Sequence, residues 1–509
     1  MTSAPESRPF LRSLVRTKPV EQSIADTEEP EHRLRRSLSA LDLTVFGVGV
    51  IIGTGIFVLT GTAAKNHAGP SVALSFAAAG VVCALAALCY AELASTVPVA
   101  GSAYTFAFST IGELPAWIIG WDLVLELALG ASVVAVGWSG YVQSLLESAG
   151  VTLPHALTGA DTGGWSFNLP ATLLVVVLTA VIVAGMHLSA EVTRVIVGIK
   201  VLVVLIVIVA GLFFVKAENY SPFVPPSKPV EGMSGGKTPL VEALFGYTPT
   251  DFGVMGIFTA AAVVFFAFIG FDVVATAAEE TRNPQRDVPR GILGSLIVCT
   301  VLYMAVSLVV TGMEKYTELS DNAPLSDAFK AVGQDAFADI INVGAVAGLT
   351  SVTMILLLGQ SRVFFAMSRD GLLPRTFSAV HPRFGTPIRA VVMLGLVVAV
   401  LAGLIPLEEL SELVNIGTLF AFIVVSIGVV VLRRTRPDLP RAFRCPWVPV
   451  LPVLSVLASL WLMINLPVAT WWRFLIWMAL GFVVYGLYGR SHSRVGNPGL
   501  RAGPARGTD

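Results

Sequence analysis

The chain has little charge. Only 13% of its 509 residues are Asp, Glu, Lys or Arg, against 55% hydrophobic residues and a mean hydropathy of +0.77. Soluble domains carry about 25% charged residues, so a water-soluble globule of this make-up would aggregate. What remains is a polytopic helical membrane protein. Cysteine is equally scarce: Cys83, Cys89, Cys299 and Cys445 are too scattered for a disulfide framework or a metal cluster. Cys83 and Cys89 lie in an apolar run, where a thiol acts as a small hydrophobe. The formal net charge is −1, so no basic surface for nucleic acid is implied. Nucleotide-binding loops, metal-ligand spacings and mid-span histidines are also missing, and no organic or metal cofactor is expected. Glycine, by contrast, is plentiful, and membrane helices tolerate it better than soluble ones.

A spanning helix needs about 20 apolar residues. Such runs fall at 42–63, 70–97, 116–146, 169–187, 194–216, 253–280, 290–313, 337–366, 387–405, 413–433, 449–467 and 471–489, which predicts twelve spans. With the N-terminus inside, 25 Lys and Arg residues fall on the cytoplasmic side and seven outside. That excess follows the positive-inside rule and places both termini in the cytoplasm. The outer loops are instead acidic, as at Glu408, Glu409 and Glu412.

One basic residue belongs to neither side. Lys200 lies about two turns inside the fifth span, among Ile, Val and Leu. It could snorkel to the surface. Alternatively it faces the bundle interior, where burial disfavours its charged form and lets it gain and lose a proton within a cycle.

The first span reads GVGVIIGTGIFVLTG. Each interior glycine costs about 1 kcal/mol relative to alanine in a helix. A break at Gly53-Thr54-Gly55 would free backbone N–H groups that, with the positive dipole end, hold a carboxylate. Close packing through small residues is the other reading. The sixth span decides between them. It too has a lone mid-span glycine, Gly270, followed by Asp272. Paired interruptions at corresponding positions in two halves point to a transporter site. Two five-helix units related by inversion follow, with two helices appended. The layout is then a disordered cytoplasmic tail (1–38), a first repeat (39–216), an extracellular loop (217–252), a second repeat (253–433), two further helices with their preceding cytoplasmic loop (434–489), and a cytoplasmic tail (490–509).

Asp122 and Glu126 share a face of the third span. Glu126, near the midplane, could meet a cationic group, move protons or bond a neighbouring helix; Asp122 reads as structural. Thr350, Ser351 and Thr353 open the eighth span and offer oxygens to an ion or to Lys200, unless they bond back to their own helix. Glu92, Glu279 and Glu280 end the second and sixth spans. Arg282, Arg286 or Arg290 would partner them in a cytoplasmic closure network, with Asp272 as a further gating or structural residue; ordinary interfacial charge is the alternative.

IIGTGIFVLTG, CYAELASTVPVAGSAYTF, IGWDLVLELALGASVVAVGWSGY, FFAFIGFDVVATAAEETRNPQRDVP and GQSRVFFAMSRDGLLP, in that order, resemble the amino acid–polyamine–organocation superfamily. Within it, the chain resembles the cationic amino acid transporter family and its bacterial twelve-span members, from about residue 36 to 488. The resemblance implies the LeuT-type fold, an all-α bundle of five-plus-five inverted repeats with discontinuous helices 1 and 6. It implies a substrate carboxylate on the backbone of Gly53, Thr54 and Gly55. The α-amino group would sit on carbonyls near Val50, Ile51 and Phe268, with Ile269 and Gly270 beside it, and Glu126 and Thr350 would lie towards the side chain. Lys200 would replace a sodium ion and serve proton coupling, with Ser351 nearby. Leu127 stands where the family often has an aromatic residue, and the two extra spans of mammalian relatives are absent.

The resulting expectation is a proton-coupled permease of the plasma membrane importing cationic or small neutral amino acids. Its partners would be the amino acid and the bilayer, and a small single-span subunit is left open. An obligate exchanger is the nearest rival, and a channel or amino acid sensor a rival of another class. A sugar or drug carrier would favour six-plus-six spans with a large central loop.

Overall fold

The structure is a computed structural model that describes residues 16–17, 38–97, 102–159, 166–185, 190–230, 235–246, 250–381 and 386–493. The two predicted tails fall almost wholly outside the described residues. The longer helices are α1 (Ala40–Ile51), α2 (Val72–Thr96), α3 (Glu113–Ser148), α4 (Leu169–Val183), α5 (Ala190–Gly211) and α6 (Gly253–Val264). They continue as α7 (Pro284–Met313), α8 (Asp335–Arg369), α9 (Ile388–Leu404), α10 (Leu407–Thr435), α11 (Val450–Ile464) and α12 (Val468–Val484). Every apolar run predicted from the sequence falls on one of these. Among the described residues eight stretches are long and apolar enough to cross a bilayer, and α1, α4, α9 and α11 are shorter apolar helices. The molecule is a multi-pass helical membrane protein.

Local chemistry sets the boundaries. Ser39 and Asp42 form a reciprocal capping box at the start of α1, with the Asp42 N–H on Ser39 Oγ and the Ser39 N–H on Asp42 Oδ2 at 3.0 Å. That satisfies two donors no helix interior can serve. Prolines open α7, α10 and α12 at or just before their first turns, where a missing N–H costs nothing. Helix α3 packs along α8 and α10, α7 along α1 and α2, and α5 between α1 and α8. Burial follows that order. The most apolar window of α3 is 83% buried, against 33% for the span containing α5 and 28% for the one containing α12. So α3 is a central strut, while α5 and α12 turn most of their surface to lipid.

Helix α1 stops at Ile52, whose extended backbone (φ −69°, ψ 94°) cannot continue it. The chain restarts at Thr54 and runs as tight and wide helical turns through 55–68. Helix α6 gives way to a 3-10 turn at Phe265–Phe268, then to extended Ile269 and to Gly270 at φ +117°. A short helix resumes at Val273–Thr276. Both interruptions lie where the glycines predicted them.

One end of the bundle is rich in arginine. Here Glu92, fully buried, does not meet Arg282, Arg286 or Arg290 as expected. It receives Arg433 at 2.9 and 2.6 Å and the Cys445 N–H at 2.7 Å, with Arg441 at 3.4 Å. Arg433 comes from the last turn of α10, and Arg441 and Cys445 from 436–449, which folds back from α10 onto the end of α2. Arg282 also takes part through its backbone. Its N–H donates to Leu38 O, and the Leu38 N–H donates to Glu280 O, so the segment before α1 is stitched to the end of the sixth region. The side chain of Glu279 lies outside the described ones. Truncating Glu92 to Ala strips three donors of their acceptor at a buried site. The expected cost is about 3 kcal/mol, read as a lower unfolding midpoint of the detergent-purified protein by intrinsic fluorescence.

Candidate functional site

The two interruptions meet. A methyl group on Gly55 would overlap the backbone of Ala267, and one on Gly270 would sit 2.7 Å from Val50 Cγ1. Only glycine allows the restart of the first region to lie against the turn of the sixth. Tyr303 of α7, fully buried, binds them together. Its hydroxyl lies 2.7 Å from Ile51 O and 2.9 Å from Ala267 O. Asn415 of α10 donates to Ala262 O at 2.7 Å and Val263 O at 3.2 Å, serving carbonyls near the end of α6. Tyr141 of α3 donates to Phe57 O.

Lys200 is fully buried and does not snorkel. Its Nζ donates to Gly49 O at 2.6 Å, in the last turns of α1. Gly348 of α8 makes the room, since a methyl there would press on the lysine stem at 2.9 Å. The hydroxyls expected to join it do not. Thr350, Ser351 and Thr353 donate to Val346, Gly348 and Leu349 carbonyls of their own helix. Ser351 therefore gives its proton to its own helix, and the ammonium finds its acceptor on α1.

Between the interruptions lies a cavity of about 20 Å³, lined by Val50, Ile51, Gly53, Thr54, Gly55, Glu126 and Ile269. It would hold about one water, less than an amino acid needs. These seven were singled out in the sequence. Three companions do not line the cavity. Phe268 packs against Phe76 and Tyr303, with ring centroids 6.4 and 5.3 Å away. Gly270 packs on Val50, and Thr350 is turned from the cavity. In their place stand Phe266, Leu127, Gly130, Val134, Val352 and Leu356. Helical phase could have found most of them. Positions 126, 127, 130 and 134 share one face of α3, and 352 and 356 share one face of α8.

The chemistry of the cavity is uneven. At one end, Gly53, Thr54 and Gly55 open the second segment of the first region, where helix-start N–H groups lack partners in a preceding turn. Thr54 Oγ1 is buried without a hydrogen-bond partner among the described residues. The rest of the lining is apolar but for Glu126, 4% exposed, whose Oε2 likewise has no partner among the described residues. Asp122, expected to be structural, has neither carboxyl oxygen bonded among the described residues, although a structural carboxylate would have partners. It packs on Gly417, where a methyl would come within 2.7 Å of Oδ1. Asp272 is buried beside the turn after Gly270, within electrostatic reach of Glu126.

A sequence profile described as amino acid permease matches residues 38–485. The chain belongs to the amino acid permease family. It is 48% identical to the methylthioribose transporter of Bacillus subtilis (strain 168), over 95% of this chain and 99% of that one. It is equally 48% identical to the branched-chain amino acid permease BcaP of the same organism, over 95% and 99%. The vacuolar cationic amino acid transporter 4 of Arabidopsis thaliana is 32% identical over 96% and 97%. This places the permease in the amino acid–polyamine–organocation superfamily, among transporters and not enzymes.

A side chain at position 270 must adopt a left-handed backbone, which costs about 1–2 kcal/mol, and must also displace Val50. Gly270→Ala should therefore lower the unfolding midpoint. Gly55→Ala should prevent the two interruptions from meeting and abolish any rise in that midpoint on adding saturating amino acid.

Proposed function

We propose that this permease carries neutral amino acids with apolar side chains, by alternating access and with proton coupling. Apart from Glu126, the substrate-side-chain end of the cavity is built from Leu127, Gly130, Val134, Phe266, Val352 and Leu356. That lining carries the reading, because it suits a branched aliphatic chain and offers only one group to a cationic one. The substrate carboxylate goes to the N–H groups at Gly53–Gly55 and to Thr54 Oγ1. The α-ammonium faces the ends of the first segments, where Val50 and Ile269 line the cavity. Ile51 O is already shared with Tyr303, so it contributes less than the sequence suggested. That the related BcaP is a branched-chain amino acid permease supports the same substrate class.

In this reading the chain makes twelve spans in a plasma membrane, in two inverted five-helix repeats plus α11 and α12, with both termini cytoplasmic. The shorter apolar helices α1, α4, α9 and α11 count among the twelve. Lys200 stands where a bound cation would bridge the first region to α8. Release of its proton would leave a neutral amine whose bond to Gly49 O has lost its charge assistance, and would loosen α1 from α5. Coupling then requires that substrate and proton favour the same conformations.

A second reading deserves a place in the same experiment, because a relative of equal identity is named for methylthioribose. That compound has no carboxylate for Gly53–Gly55, so the two readings differ in chemistry. In proteoliposomes, unlabelled isoleucine and valine should displace labelled leucine, while arginine and methylthioribose should not. Displacement by methylthioribose alone would overturn the substrate assignment. An inward proton gradient should raise leucine accumulation severalfold. Lys200→Met should abolish that increase, and an undiminished response would remove Lys200 from coupling. Counterflow that needs internal amino acid and ignores the gradient would indicate an exchanger.

A further inference from the structure

A second and larger cavity opens at the other end of the bundle, away from the arginine-rich one. Its volume is about 230 Å³, enough for a molecule of amino-acid size. It lies among the loop before α6, the start of α10 and the α11–α12 connection. The loop is fastened in place by backbone bonds: Leu240 N–H donates to Leu466 O, and Val468 N–H to Thr238 O. Lys228–Pro229 pairs antiparallel with Thr250–Asp251 on the same side. The cavity is thus walled by segments tied to one another.

Its lining is acidic. Glu242, Asp251, Glu408, Glu409 and Glu412 face it, against Lys237 and Arg473. Arg473 is engaged by Glu409 at 2.7 Å, and Glu412 accepts from Thr470. His67 lies 3.5 Å from Asp251. Two buried acceptors point to a missing ligand. Glu242 is only 3% exposed, and its Oε2 has no hydrogen-bond partner among the described residues, while Oε1 receives Thr250 N–H at 3.4 Å. Asn465 is 1% exposed; its Nδ2 donates to Trp461 O and its Oδ1 is left without a partner. A buried carboxylate oxygen and a buried amide oxygen in one cavity call for donors. Burial raises the Glu242 carboxyl above the usual carboxylate range, Asp251 adds to the effect, and the Thr250 N–H opposes it. A bound positive charge would relieve that burden.

We propose that this cavity binds an organic cation of amino-acid size, one that presents ammonium or guanidinium N–H groups to Glu242 and Asn465. A metal ion fits poorly. Among the described residues no three acidic, His or Cys groups converge as ligands, and the carboxylates are spread around the wall. The cavity is separate from the one between the helix interruptions, so its occupancy does not depend on the transport reading. Bound there, a cation would tie the loop before α6 to α10 and to the α11–α12 connection.

The test is equilibrium titration of the detergent-purified full chain with 1,4-diaminobutane and with methylguanidinium, repeated in the presence of saturating leucine and with calcium chloride as a comparison. Binding of one equivalent of an organic cation is expected, undisplaced by leucine. Glu242→Gln and Glu412→Gln should each weaken it about tenfold or more, the loss expected for a hydrogen bond to a charged group. Asp251→Asn provides a third variant should either of the others fail to fold. No binding to the wild-type chain, displacement by leucine, equal binding of calcium, or affinity unchanged in every folded variant would overturn the proposal. Failure of leucine uptake would leave these titrations readable, so the two proposals fall separately.

Discussion

Lipid offers no hydrogen bonds, so a helix interrupted inside it must find partners for its freed peptide groups within the protein. Two such interruptions lie back to back here, and the rest of the bundle is arranged around their carbonyls. Lys200 of α5 serves Gly49, Tyr303 of α7 serves Ile51 and Ala267, and Asn415 of α10 serves Ala262 and Val263. Each donor comes from a different helix. The acceptors are therefore largely satisfied by the protein itself. What is left over at the restart includes the N–H groups opening 53–55 and Thr54 Oγ1. A site with surplus donors at a helix start is complementary to an anion, and a carboxylate is the anion every amino acid carries.

The interruptions were legible because glycine has a direct backbone meaning. Gly53, Gly55 and Gly270 lie where straight helices would be costly, and two such places in one chain are hard to read otherwise. Lys200 was legible for a similar reason, since a lone charge in an apolar run demands a partner. The identity of that partner was not. Gly49 O is a backbone atom, and nothing in the local sequence announces which carbonyl will be offered. Tyr303 and Asn415 were missed on the same ground. Each is one polar residue in an apolar helix, and its worth depends on which neighbour it touches. Glu92 shows the complementary failure. Charge complementarity correctly demanded an arginine, but Arg433 reaches it from the last turn of α10, which packs on α2, and Arg441 from 436–449, which folds back across α2. Tertiary path, not spacing, chose between equivalent candidates.

The eighth span illustrates how narrow the margin is. Its polar opening drew the reading to Thr350 and Ser351, yet the residues on the cavity are Val352 and Leu356. A shift of two positions rotates a helix face by roughly 200° at 3.6 residues per turn. Hydroxyls can satisfy themselves on their own helix, so their presence in a span carries less information than a carboxylate's. Glu126 and Asp122 cannot do this, and both retain unbonded oxygens. The aliphatic residues at the cavity have no polar signature at all. They are ordinary membrane residues whose role is set by facing Glu126 and Thr54 instead of lipid.

The same interruptions bear on the motion that the proposed alternating access would require. At the arginine-rich end, Leu38 exchanges two backbone bonds with Glu280 and Arg282, and Arg194 pairs with Asp42 at 2.7 Å. These contacts join the start of α1 to the end of the sixth region and to α5. They are few and lie near the surface, where water can replace them at little cost. The Glu92 knot nearby is buried, and opening it would strand charges. A motion that opens this end would therefore part the Leu38 bonds and leave α2 and α10 joined. The short segments before the interruptions can swing because peptide continuity through Ile52 and Gly270 is already non-helical, so no further helical bond need break.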